Sequence, residues 1–166
     1  MNTRHLKSAL AAVMMLFCLQ ASAQMEFIEK YEDNKKATYV YVGKALFKML
    51  GSNNFSTPGG RDISPIADKL TSLQVVTSQD PATIAEIKDD LAKDVRNYNF
   101  EVLLKANEED SKLTIYFLEG KKENYVLISA NEEEETSLIA LSGTFTMSDI
   151  EILSKDSNKK DDEDNG

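Results

Sequence analysis

Cysteine, histidine and tryptophan are almost missing from this chain of 166 residues, which has one cysteine, one histidine and no tryptophan. Cys18 and His5 both fall within the first 23 residues. That stretch reads as a secretory signal peptide. Arg4 and Lys7 form a basic start, Ala9 to Leu19 an apolar core, and Ala21-Ser22-Ala23 a small-residue cleavage pattern. Cleavage is expected before Gln24. Phe17 precedes Cys18, and the cysteine lies inside the apolar core rather than at its end, so an unlipidated signal is expected.

The mature chain, residues 24–166, then has neither thiol nor imidazole. It can form no disulfide and must be stable through its core. Cys/His zinc sets, a thiolate nucleophile and any triad that relays protons through imidazole are closed to it. Histidine is the one side chain that titrates near neutrality unperturbed. Stability is therefore expected to be nearly flat between about pH 6 and 8.

Long apolar runs are also scarce. The signal core is about 11 residues, against the ~20 of a spanning helix, and no later run approaches that length. No transmembrane span is expected. Basic charge is in short supply too. The mature chain keeps 17 of 19 Lys and Arg and all 28 Asp and Glu, a net charge of −11. Nucleic acid, whose phosphates require Lys and Arg, is excluded as a partner.

What is present reads as one domain over residues 24–153 with an acidic tail at 154–166. Phe27, Ile28 and Tyr31 have helical spacing; Ala37 to Val42 is a strand, and Lys44 to Leu50 a helix stopped at Gly51. "SNNFSTPGG" is a loop. A short helix near Pro65 to Leu70 leads into a strand at Ser72 to Thr77. Asp80-Pro81 then starts the strongest helix, with Ile84, Ile87, Leu91, Val95 and Tyr98 on one stripe. From Phe100 the period becomes two. Strands are predicted at Phe100 to Ala106, Lys112 to Glu119, Asn124 to Ala130 and Thr136 to Gly143. Thr146 and Asp149 form a capping box for a last helix. The tail "SKDSNKKDDEDNG" has no apolar residue and is expected to be disordered. The expected class is α+β: an antiparallel β-meander sheet with helices packed mainly on one face.

Two motifs suggest ligands and fail on inspection. Gly43-Lys44 follows a strand and precedes a helix, as in a phosphate-binding loop. Ala45 stands where the magnesium-binding hydroxyl belongs, and Thr38 where the first glycine belongs. Asp161, Glu163, Asn165 and Gly166 have calcium-loop spacing, but the later ligands do not exist. The hairpin turns are acidic. A meander places "NEED" (107–110) beside "NEEEE" (131–135) at one end of the sheet, with Lys121 and Lys122 at the other. Solvated turns are the plain reading, a weak cation tip the sharper one. No carboxylate pair stands in an apolar setting, as a general acid requires. No cofactor is expected.

The meander strands carry apolar residues on both alternating sets. Phe100, Val102, Leu104, Leu113, Ile115, Phe117, Val126 and Ile128 form the expected core set. Leu103, Tyr116, Leu118, Tyr125 and Leu127, with one set of the last strand such as Ile139 and Leu141, form the other. Either the first or last helix covers that second set, or it is a partner surface for an envelope protein or a second copy.

The pattern in Thr38 to Val42 with Lys44, Leu70-x-x-Leu73, Tyr98 with Glu101 to Leu104, and Leu141 to Thr146 with Asp149-Ile150 resembles a family of exported Bacteroidota proteins known as domain of unknown function 4252. The resemblance spans nearly all of residues 25–154. Gly43, where many members have Ser, and the run Glu132 to Glu135 depart from it. The family supplies no catalytic residues. Its members' proximity to extracytoplasmic-function sigma factors implies envelope sensing. The expected function is an exported, non-catalytic envelope protein that binds, senses or supports structure. The alternative is an Asp/Glu-dependent hydrolase acting on glycans or envelope polymers.

Overall fold

The computed structural model describes residues 26–50 and 63–150. The expected signal peptide, the helix stop at Gly51 with the whole loop that follows it, and the acidic tail with its calcium-like spacing lie outside the described residues. Helix α1 (Glu26–Glu29) is followed by β1 (Thr38–Gly43), α2 (Lys44–Leu50), a 3-10 turn (Ser64–Lys69) and β2 (Leu70–Ser78). Helix α3 (Pro81–Tyr98) then leads to β3 (Glu101–Asn107), β4 (Ser111–Leu118), β5 (Asn124–Glu132) and β6 (Thr136–Gly143). The strands form one antiparallel sheet in the order β1-β2-β6-β5-β4-β3, an α+β fold. Helix α3 carries the chain from β2 to the far edge, and the meander returns to insert β6 beside β2.

Local chemistry fixes the ends of α3. The Asp80 carboxylate accepts from the Thr83 amide at 3.0 Å, and Pro81 occupies the first turn, where no amide is needed. At the other end Asn99 adopts the left-handed conformation (φ 57°), and the Phe100 amide donates back to Val95 O at 3.0 Å. The Thr146 capping box forms as the sequence predicts. Asp149 Oδ2 accepts from the Thr146 amide at 2.7 Å. Lys69 pairs with the other oxygen at 2.6 Å and holds this carboxyl down at about 2.

Both faces of the sheet are buried. On one, Phe47 of α2 and Ile66 and Ala67 of the 3-10 turn pack against Leu73, Val75, Val126, Ile128, Ile139 and Leu141. On the other, Ile28 and Tyr31 join Ile87 and Leu91 of α3 over Val76, Leu127, Leu138 and Ala140. The central strands are therefore covered on both sides. This explains why Leu138 to Leu141 is an unbroken apolar run, feeding the two clusters alternately. Gly143 is required where β6 meets the start of β2. A Cβ there would lie 2.2 Å from Lys69 O, beside the bond from the Thr144 amide to the same oxygen.

The alternation expected along the meander breaks at β3, while the last strand alternates with its two sets on the faces opposite to those expected. The register shifts between Val102 and Leu104, a bulge that sets two residues against one on β4. Leu103 consequently packs on the α2 face with Leu113 and Ile115, while Val102 and Leu104 are exposed on the edge strand. Phe100 belongs to the α3 face, and Ile139 and Leu141 to the α2 face.

Candidate functional surfaces

Tyr116, Leu118, Tyr125 and Leu127 do share a face, but α1 and α3 lie over it. Leu127 is fully buried, and the other three pack against the same cluster. Leu103 is on the opposite face. The five residues do not make an open partner patch; they are split between two cores.

The acidic hairpin tips do come together. Glu108 to Asp110 and Glu132 to Glu135 border one open hollow of about 640 Å³. Each turn is closed by its own backbone: Glu108 N donates to Ser111 O at 2.9 Å, and Glu132 N to Glu135 O at 2.8 Å. Gln79 donates to Glu135 at 2.9 Å. The tips point into solvent, and among the described residues no three Asp, Glu, His or Cys side chains converge to hold a metal ion.

A smaller cleft of about 320 Å³ at the opposite end of the sheet contains Glu101 and Glu119. Both glutamates are exposed, so water solvates each. The nearby Asn124 is committed to structure, donating to Phe145 O at 2.8 Å and accepting from the Gly120 amide at 3.1 Å.

The most perturbed carboxylate was not visible in the sequence. Asp94, on α3, has one oxygen buried without a hydrogen-bond partner. Burial, then the charge of Asp90 one turn earlier, pushes it up to about 6. Asp90 itself is engaged: it accepts from the Tyr31 hydroxyl at 2.8 Å and pairs with Lys30. Burial and that same carboxylate drive the Tyr31 hydroxyl far above its ordinary range. This cluster fastens α1 to α3. It also means the expected flat stability above pH 6 does not begin until Asp94 is fully ionised. The only sequence signal was four acids close together in "EIKDDLAKD" (86–94), and spacing does not reveal which is desolvated.

The last surface surrounds β1. This strand pairs with β2 and is an edge of the sheet. Val40 and Tyr41 on the strand and Leu46 and Met49 on α2 are exposed, Tyr41 by 57% and Met49 by 81%. From Asn34 to Leu50 there are four lysines and no acid. In the sequence this stretch reads as a strand, a helix and a failed phosphate-binding loop, and alternation alone does not mark the strand as an edge.

The fold thus defines a small α+β domain built on a six-stranded antiparallel sheet, and among the described residues no site sets a chemistry by itself. Residues 31–153 match the family described as Domain of unknown function (DUF4252), and the chain belongs to that family. No curated protein matches the chain, and no solved structure does.

Proposed function

We propose that this is an exported, non-catalytic binding module of the cell envelope. Export rests on the signal-like first 23 residues. The binding role rests on one observation: the β1–α2 edge keeps Val40, Tyr41, Leu46 and Met49 in solvent among lysines, and Met49 and Tyr41 are the two most exposed large apolar side chains among the described residues. Exposed apolar groups clustered at one place mark contact surfaces. The sensing role implied by the family resemblance fits such a surface.

The hydrolase alternative is tested first at the cleft holding Glu101 and Glu119. The two readings separate in one assay. The purified chain is incubated with labelled peptidoglycan fragments and a glycan panel, and both retention and product are followed. Saturable retention without product supports the module. Product release that disappears in Glu101→Gln or Glu119→Gln contradicts it.

A further inference from the structure

We infer that β1 is the docking edge for an extended peptide segment flanked by acidic residues, which adds to the sheet as one more strand. This rests on the binding-module reading and names its partner. Edge strands present a row of unpaired N–H and C=O groups, and proteins usually blunt such edges with charge, proline or a bulge. The two edges of this sheet differ in that respect. Strand β3 carries Glu101 and Lys105 and is broken by its bulge. Strand β1, "TYVYVG", has no charge and no proline, and its register with β2 is unbroken from Thr38 to Gly43.

Side chains on both sides of this edge are ready for a partner. Val40 lies opposite Val75 on the α2 face, and Leu46 and Met49 of the helix that follows are exposed as well. Tyr41 lies opposite Gln74 on the other face. Its ring leans over Gly43, where a Cβ would meet it at 3.3 Å. A strand added to β1 would therefore find apolar contacts on one face and an aromatic ring on the other, the arrangement by which β-augmentation reads alternate side chains.

Charge selects the occupant. Lys35 and Lys36 precede the strand, and Lys44 and Lys48 follow it; all four are exposed. Lys36 is partly satisfied by Asp80 at 2.8 Å. A second copy paired through β1 in antiparallel fashion would bring the lysines before one strand against those after the other, and a parallel pair would stack like on like. Both arrangements are repelled. Glu32 and Asp33 stand just ahead of Lys35 and Lys36, so a segment with glutamate or aspartate at its ends meets its strongest complementary charge at the Lys44 and Lys48 flank.

The test is equilibrium binding of the purified chain to two short synthetic peptides. Each alternates valine and threonine; one has paired glutamates at both ends, the other paired lysines. Phosphatidylglycerol vesicles and sedimentation velocity serve as the other arms. The glutamate-flanked peptide should bind, and bind at least about tenfold more tightly than the lysine-flanked one. Lys44→Glu with Lys48→Glu should invert that preference, and Tyr41→Lys should weaken binding about tenfold without moving the thermal midpoint. Equal binding of both peptides, or none at ~1 mM, overturns the inference. So does vesicle binding that the peptide does not displace, or a dimer that Tyr41→Lys dissociates. If a variant fails to fold, the two peptides on the unsubstituted chain still decide. Absent peptide binding with no hydrolysis removes this inference alone, whereas product release removes the module reading itself.

Discussion

Asp94→Asn should stabilise the protein, and should do so only when Asp94 would otherwise be charged. The carboxyl rises from an ordinary 3.8 to about 6 on folding, because burial and Asp90 both oppose its ionisation. Asparagine resembles the protonated acid, so it keeps the shape and removes the charge. Two pKa steps correspond to about 2.7 kcal/mol at full effect. Asp94 is only partly buried, so solvent screening reduces this to ~1.5 kcal/mol. The sign follows from linkage. A carboxyl whose folded value is raised binds its proton more tightly in the folded state, so the native protein loses stability as pH climbs from about 4 through 6, and the loss is complete near pH 7. Asp80 and Asp149 are both held at about 2. Their stabilisation is present above the ordinary carboxylate range and is lost as pH falls toward about 2, outside this window. Urea unfolding of both proteins at pH 7.5 and 4.5 supplies the comparison. The variant should be more stable by ~1.5 kcal/mol at pH 7.5, roughly 5 °C in midpoint, and by about a third of that at pH 4.5. An equal or lower stability at pH 7.5, or a difference independent of pH, refutes the reasoning.

Replacing Leu127 by alanine should cost about 3 kcal/mol in thermal or urea unfolding, since the side chain is fully buried under α1 and α3. Tyr116→Glu combined with Leu127→Glu should abolish the cooperative transition; a folded double variant would mean that this face is open after all. Tyr31→Phe should lose roughly 1–2 kcal/mol, because Asp90 would keep only its lysine partners, Lys30 and Lys93, and unchanged stability would mean that the hydroxyl bond does not form. Gly143→Ala should cost about 3 kcal/mol through backbone displacement at Lys69, and a neutral result would show that the β2–β6 junction is looser than its 2.2 Å approach implies.

Much of the architecture could be read in the sequence because local chemistry decides it. Asp80-Pro81 announced α3, Lys44 marked the start of α2, Thr136 to Gly143 carried its own boundaries, and Thr146 with Asp149 formed the predicted cap. Alternation located the meander strands but misassigned Leu103, because one inserted residue at a bulge flips every later side chain. The position of β6 between β2 and β5 is a long-range fact with no local signature. The same limit hid Asp94. Its raised pKa depends on what packs over one turn of α3, which residue spacing cannot report. That β1 is an edge was equally hidden, since its place in the strand order has no local signature.

If β1 accepts another strand, the amides along its outer edge must change their exchange. Amide hydrogen exchange over Thr38 to Gly43 tests this most directly, because outward-facing amides of an edge strand exchange freely until a partner bonds them. In the free protein, alternate amides of this stretch should exchange fast while those bonded to β2 are slow. Saturation with the glutamate-flanked peptide should slow the fast set at least about tenfold and leave β3 unchanged. Protection at β3 instead, or no change at β1 under saturation, contradicts the claim.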